Sequence, residues 1–363
     1  MRELEIKSSY EEESYKIKIK RFNKNFLEDL IYNNDKNVFI ITDENVFKNY
    51  KDYIPKKLLK SKIEVLPAGE KTKSIKYLTK LYSKFLETGL NRNSRLIAFG
   101  GGVIGDLTGF AAATFMRGIE FIALPTTLLS MIDSSIGAKT GINLKEGKNL
   151  IGAFKRPKVV FMNINFLQTL PVKEFSSGIA EIIKSALIKN KNLFTKIEKF
   201  AEKIDMEKLT EIFENKKLFS GFTEIIYETI LIKKKIIEND EHERGERMLL
   251  NFGHSFGHSI EKETGFGIYS HGEAVAYGML IATKLSEEKN YIEKGTTEKI
   301  KKLFLKFNLT NENAFPLDDK NFESTVKKLA KNLTKDKKMY KDKINFVFLK
   351  KVGNAFVEKL IIK

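Results

Sequence analysis

The sequence predicts an α/β fold, a Rossmann-like nucleotide-binding domain over residues 1–171, followed by a mainly α-helical, metal-binding domain over 172–363. Three observations predict it. Up to Asn163, short apolar runs alternate with helical periodicity, as strands joined by crossover helices do in a mostly parallel sheet. One strand-to-helix junction is Gly100-Gly101-Gly102-Val103-Ile104-Gly105-Asp106, formally G-x-G-x-x-G. Beyond Pro171 the period is helical almost throughout, and all the histidines lie there.

Tyr15 to Phe22 alternates as a strand, and Asn37 to Asp43 is a continuous apolar run ending in a polar loop, the pattern of a buried parallel strand. A helix, a strand at Lys62 to Leu66, the loop Pro67 to Ser74 and a helix from Ile75 to Thr88 follow. Arg95 to Phe99 is the next strand and runs into the glycine turn, with a helix at Leu107 to Phe115 behind it. Glycines there let backbone N–H groups approach a pyrophosphate at a helix N-terminus, where the dipole favours anions. A tight turn that merely needs glycine fits equally well, because this is not the first βα unit and Glu120 begins the following strand instead of ending it.

After a strand at Gly118 to Leu124 come Pro125-Thr126-Thr127-Leu128-Leu129, Asp133 to Asn143 and Lys148-Asn149-Leu150-Ile151-Gly152. So many hydroxyls, glycines, amides and lysines in a short span suit the holding of phosphate and polyol groups. Lys158 to Asn163 is the last strand, and Leu167 to Pro171 marks the boundary. Helical patterns then cover Lys173 to Asn190, Asn192 to Lys203, Lys208 to Asn239 and Ala274 to Asn290.

The four histidines, His242, His254, His258 and His271, fall within 30 residues. His254 and His258 are four apart, which on a helix places them on one face a turn apart. A lone histidine on an apolar face is more often a core residue, but a cluster points to metal, and a catalytic zinc takes three protein ligands. With no cysteine in the chain, a four-thiolate site is excluded and the third ligand must be a carboxylate or another histidine. Glu181 and Lys184, three apart on a predicted helix, read by default as a surface ion pair, although the metal site still needs a carboxylate.

At 363 residues, with 42% hydrophobic composition and 28 phenylalanines, the chain can bury two cores. No apolar run reaches the roughly 20 residues that span a bilayer, and the charged start is unlike a signal peptide, so no membrane and a cytoplasmic location are expected. The absence of cysteine agrees with a reducing compartment. The net charge of +17 raises nucleic acid as a partner, but only eight of the 64 cationic residues are arginine and the lysines are interleaved with acids. That pattern is a solvated surface, and no nucleic-acid partner is expected. Arg117 and Arg247, both inside glycine-rich motifs, stand out for their rarity.

Together the Gly-Gly-Gly-Val-Ile-Gly-Asp turn, Met116-Arg117-Gly118, Pro125 to Leu129, Asp133 to Asn143, Gly178 to Lys184, Asp240-Glu241, Arg247 to Glu261 and His271-Gly272-Glu273-Ala274-Val275 resemble the 3-dehydroquinate synthases, a family of sugar phosphate cyclases. The resemblance implies that Glu181, His254 and His271 hold a metal, zinc or cobalt. It implies NAD contacts at Gly101, Gly102, Asp106, Thr126, Thr127 and Thr169, with Asp43, Glu70, Lys73, Asp133, Lys139 and Lys148. It implies a substrate site of Asp133, Lys139, Asn149, Lys184, Lys233, Arg247, Asn251 and His258. Glu243 matches a carboxylate near the catalytic histidine, and Arg117 an arginine that reaches a neighbouring subunit's site, which makes a homodimer the expected assembly. Where the family has Gly-Gly-Lys this chain has Gly137-Ala138-Lys139, and Asp336-Lys337-Lys338 resembles the family's Asp-Lys-Lys.

The implied reaction starts from a phosphorylated seven-carbon keto acid, 3-deoxy-D-arabino-heptulosonate 7-phosphate. Oxidation by NAD, phosphate elimination, re-reduction and intramolecular aldol closure give 3-dehydroquinate, on the shikimate route to aromatic amino acids. Three alternatives remain: another sugar phosphate cyclase, a metal-dependent polyol dehydrogenase that consumes NAD, and a basic nucleic-acid-binding protein.

Overall fold

Val38–Asp43 (β3) is buried at five of its six positions and Arg95–Gly100 (β5) at all six. Both faces of these strands are covered, which is why they read as unbroken apolar runs. In the computed structural model, residues 2–7, 14–32, 37–241, 243–265, 268–311, 322–333 and 343–361 are described. They fall into two compact units, Met1–Leu170 and Pro171–Lys363. Among them no helix is long and apolar enough to cross a membrane.

The first unit runs β1 (Arg2–Ile6), β2 (Tyr15–Ile19), α1 (Phe26–Tyr32), β3, α2 (Glu44–Tyr50), α3 (Lys56–Leu59), β4 (Ile63–Leu66), α4 (Ile75–Glu87), β5, α5 (Gly102–Thr114), β6 (Glu120–Pro125), β7 (Lys139–Leu144), β8 (Gly147–Phe154) and β9 (Val159–Met162). Seven strands form one sheet in the order β1-β2-β9-β6-β5-β3-β4, with β1 antiparallel to β2 and every other pairing parallel. From β3 the chain goes outward to β4 and then returns to the other side of β3 as β5. The switch point of this doubly wound sheet therefore lies between β3 and β5, and open α/β sheets bind ligands outside the strand ends at such a point.

Several elements of this unit differ from expectation: β1 has no counterpart in the sequence pattern, and the one helix expected before β4 is two, α2 and α3. The hydroxyl-, glycine- and lysine-rich stretch, for which the sequence pattern gives no element, is in part an antiparallel hairpin, β7–β8, in which Gly141 faces Gly152. A Cβ on either glycine would lie 2.5 Å or 2.2 Å from a carbonyl oxygen of the opposite strand, so the pair lets the strands approach. The helix after the glycine turn begins at Gly102, not Leu107, because glycine's poor helix propensity hides a first turn that tertiary packing enforces.

The second unit contains α6 (Val172–Lys189), α7 (Lys191–Ala201), α8 (Glu211–Glu214), α9 (Lys216–Asn239), α10 (His254–Thr264), α11 (His271–Glu288), α12 (Thr296–Lys306), α13 (Phe322–Leu333) and an antiparallel hairpin of β10 (Lys343–Lys351) and β11 (Asn354–Ile361). In α6 every residue from Phe175 to Ile188 is buried, so this helix is the core and its neighbours wrap it. The single helix expected over Lys208 to Asn239 is broken at Asn215, whose side chain accepts from the N–H groups of Lys217 and Leu218 and so starts α9.

Candidate metal centre and cofactor site

The metal centre is assembled from three helices of the second unit. Glu181 sits in the middle of α6, while His254 and His271 are the first residues of α10 and α11. Glycines allow the approach: a Cβ on Gly272 would lie 2.3 Å from Ser177 Cα of α6, and one on Gly278 would lie 2.0 Å from the carbonyl oxygen of Gly253. Gly253 itself has φ +79°, a left-handed conformation that suits glycine and turns the chain into α10.

One donor atom from each of Glu181, His254 and His271 lies within 4.8 Å of the others. Nε2 of His254 is 3.5 Å and Nε2 of His271 is 3.9 Å from Oε1 of Glu181. That Oε1 is buried with no hydrogen-bond partner, while Oε2 is paired with the ammonium of Lys184. A buried carboxylate oxygen without a donor is costly unless a cation meets it. The donor set, two imidazoles and a carboxylate, is that of a catalytic zinc-type site and supplies the observation that fits such an ion here.

His254 Nδ1 lies 3.3 Å from the carbonyl oxygen of Phe252. A carbonyl can only accept, so Nδ1 carries the proton and Nε2 presents its lone pair towards Glu181. Burial, then the Lys184 ammonium and the other two histidines, hold His254 well below the usual imidazole pKa, in the neutral form a ligand requires. His258 is exposed a turn along α10, its ring 5.7 Å from that of His254. His242 and the Asp336-Lys337-Lys338 motif lie outside the described residues.

Lys184, expected as half of a surface pair with Glu181, is instead buried, as are Lys233 on α9 and Arg247. The segment that carries Arg247 is folded around Asp240, whose carboxylate accepts from the backbone N–H groups of Arg244, Gly245 and Arg247 at 2.9, 2.7 and 3.0 Å. Partial burial pushes the Asp240 carboxyl up, but these three donors outweigh it and hold it below its ordinary value. The Arg247 guanidinium donates to the Glu241 carbonyl, and Asn251 Nδ2 donates to Glu243 Oε1 at 2.6 Å. In the sequence Asp240 is only part of a motif, and with the next glycine five residues on, at Gly245, no short turn signal marks its role.

In the first unit the glycine turn ends β5 and opens α5. A Cβ on Gly101 would lie 3.0 Å from Thr127 Cγ2 and one on Gly102 3.0 Å from Ser134 Oγ, so side chains there would crowd the helix end. No side chain caps α5, leaving its first N–H groups and the dipole available to an anion. Asp43 ends β3 on the other side of the switch point, where it caps α2 by accepting from Asn45 and Val46. Gly101, Asp106, Ser134 and Lys139 line one cavity of ≈ 30 Å³.

Five residues tie this region together. Lys73 Nζ is ion-paired with Asp106 and donates to Asn149 Oδ1 at 2.5 Å. Burial pushes the Asp106 carboxyl up against the opposing pull of Lys73. Asn143 donates to Glu70 Oε1 and accepts from the Asn149 backbone N–H. Thr126 donates its N–H to the Gly100 carbonyl, Thr127 and Ser130 bond each other, and Thr169 is bonded to the Tyr50 hydroxyl. Asp133 lies in the π-helical turn Ser130–Ser134, and Lys148 is exposed on β8. Arg117 is apart from this group: it is exposed on the turn after α5, about 20 Å of helix from the glycine turn.

The family described as 3-dehydroquinate synthase N-terminal matches residues 63–177, and 3-dehydroquinate synthase C-terminal matches residues 178–339. The 3-dehydroquinate synthase of Clostridium botulinum is 40% identical over all of this chain and 99% of its own length. The chain belongs to the 3-dehydroquinate synthase family. Another member, from Clostridium perfringens, is 45% identical over 81% of this chain and 78% of its own. Two solved structures of sugar phosphate cyclases share the fold of this family member at 23% identity and a TM-score of 0.77. They are 2-deoxy-scyllo-inosose synthase complexed with carbaglucose-6-phosphate, NAD+ and Co2+, covering 99% of this chain and 97% of that one, and 2-epi-5-epi-valiolone synthase from Streptomyces hygroscopicus with NAD+ and Zn2+, covering 97% and 94%.

Proposed function

We propose that this chain is a 3-dehydroquinate synthase, an NAD- and metal-dependent carbon–oxygen lyase that converts 3-deoxy-D-arabino-heptulosonate 7-phosphate to 3-dehydroquinate and phosphate in the shikimate pathway. The observation that carries it is the donorless buried Oε1 of Glu181, facing Nε2 of His254 and His271, in a chain whose relatives at 40% and 45% identity bear that name.

Glu181, His254 and His271 would hold zinc or cobalt. Asp43, Glu70, Lys73, Gly101, Gly102, Asp106, Thr126, Thr127, Asp133, Lys139, Lys148 and Thr169, around the uncapped end of α5, would hold NAD. When bound, the metal polarises a substrate oxygen and NAD supplies a reversible hydride acceptor.

The chain's own residues bind the anions and move protons. Lys139, Lys184, Lys233, Arg247 and Arg117 would neutralise phosphate and carboxylate, with Asn149 and Asn251 donating to substrate oxygens. Phosphate leaves by elimination: a C–H bond beside a carbonyl carbon gives its proton to a base as the C–O bond to phosphate breaks. His258, exposed on α10 a turn from His254, is placed to relay that proton, and Glu243 fixes the neighbouring amide of Asn251. A homodimer is the working assembly, with Arg117 reaching the neighbouring subunit's site, and the cytoplasm is its compartment.

The deciding measurement is phosphate release from the seven-carbon substrate with NAD and divalent metal present. NAD should be required but not consumed, so phosphate appears with no net NADH absorbance. Accumulation of NADH equal to product would move the chain to the polyol dehydrogenases.

A further inference from the structure

We propose that Asn143 is a positioning residue that ties the cofactor loop to the substrate-binding amide of Asn149, a role that rests on the function proposed above. Asn143 is the penultimate residue of β7 and uses both ends of its side-chain amide within one neighbourhood. Its Nδ2 donates to Glu70 Oε1 at 2.6 Å, its Oδ1 accepts from the Asn149 backbone N–H at 2.9 Å, and its own backbone N–H donates to the Lys73 carbonyl at 2.8 Å. It also forms a parallel bridge with Ser74. The Asn143 side chain thus joins the loop carrying Glu70 to the strand carrying Asn149, beside the direct bond from Lys73 to Asn149.

What that join fixes is the direction of a second amide. Asn149 has φ +56°, a left-handed conformation that asparagine tolerates better than most non-glycine residues. The bond from its N–H to Asn143 holds that conformation in place, and in it Asn149 Oδ1 lies 2.5 Å from Lys73 Nζ. An ammonium only donates, so the oxygen of the Asn149 amide is the end turned to Lys73 and the amino end is the one presented as a donor. A donor of that kind suits a phosphate or hydroxyl oxygen. Asn143 therefore acts through Asn149 on the substrate side and through Glu70 on the cofactor side.

Two substitutions in the metal-loaded enzyme separate these arms. Asn143→Ala removes both bonds: at saturating NAD, substrate KM should rise about tenfold with kcat little changed, the size of effect one lost hydrogen bond produces. In an Asn149→Ala background the same change should move KM less than about twofold, because the residue it acts through is gone. Asn143→Asp keeps the acceptor for Asn149 N–H but turns a carboxylate oxygen towards Glu70. Substrate KM should then stay near wild type while the NAD Kd, measured by calorimetry, rises about tenfold.

Additive losses in the double variant, or an Asn143→Asp enzyme whose KM matches Asn143→Ala, would overturn the assignment. Amide hydrogen exchange reads the join without any turnover. Asn143→Ala should speed exchange at the Asn149 N–H selectively, and unchanged exchange there overturns the role even in an active enzyme. A wild-type protein that neither binds NAD nor releases phosphate would instead overturn the proposed function.

Discussion

Glu181 is 3% exposed and Lys184 2%, so each charge depends on the other and on what meets the second carboxylate oxygen. Glu181→Ala leaves the Lys184 ammonium buried and unpaired, a change of about 3–5 kcal/mol in stability for a broken buried pair. Glu181→Gln keeps the shape and one acceptor and should lose less. Both variants should lose stoichiometric metal, measured by elemental analysis, because two imidazoles alone hold the ion poorly. Full metal content in either would remove Glu181 from the site. The spacing of Glu181 and Lys184 was legible in the sequence, but their burial was not, since i,i+3 charges look the same on a surface helix and in a core. Ala138 is the converse case. Its place in a motif where the family has glycine is visible in the sequence, and the reason appears only in the backbone, where it has φ +62°. Ala138→Gly should relieve about 1–2 kcal/mol of left-handed strain, but the lost burial of a methyl that is 5% exposed and the extra unfolded-chain entropy offset it, so urea unfolding should shift by less than about 1 kcal/mol.

At the scale of elements, the site depends on how closely helices cross. With Ser177 Cα only 2.3 Å from where a Gly272 Cβ would be, Gly272→Ala must push α11 away from α6. The cost should be about 1–3 kcal/mol, with metal lost as His271 moves off Glu181. The histidine motifs were readable as ligands. Their glycines read only as motif letters, because a helix crossing is a contact between residues far apart in sequence. The β10–β11 hairpin was missed for a different reason: Phe346 and Phe348 alternate towards a Gly353 turn, a strand signal overshadowed by the lysine-rich surroundings. The Asp240 loop has a pH signature. Its carboxyl is depressed in the folded protein, so its contribution is present above the ordinary carboxylate range near pH 4 and is lost as pH falls through the lower folded value. Acid should release the Arg244–Arg247 backbone before the core melts, and Asp240→Asn should flatten that acid limb in hydrogen exchange of residues 244–247.

For the molecule as a whole, the fold leaves the substrate open, since cyclases of two other names share it at 23% identity. Net charge does not decide either, because the +17 is carried largely by lysines dispersed among acids. Under the proposed function, selection falls to the buried cations: Lys184, Lys233 and Arg247 are 2%, 6% and 4% exposed. A buried cation is costly unless anions or carbonyls meet it, and a buried substrate carboxylate is equally costly without cations. The heptulosonate carries a carboxylate as well as a phosphate, whereas sedoheptulose 7-phosphate and glucose 6-phosphate carry phosphate alone. One well-paired buried charge differs from an absent one by about 3 kcal/mol, roughly a hundredfold in kcat/KM. Phosphate release at equal concentrations should therefore favour 3-deoxy-D-arabino-heptulosonate 7-phosphate by about that factor over either sugar. Arg247→Ala or Lys233→Ala should lower turnover of the acid substrate far more than that of the two neutral-headed sugars, and so narrow the ratio. Equal or faster release from sedoheptulose 7-phosphate or glucose 6-phosphate by the wild-type enzyme would mean that these buried cations serve the protein's own structure and leave no mark on substrate choice.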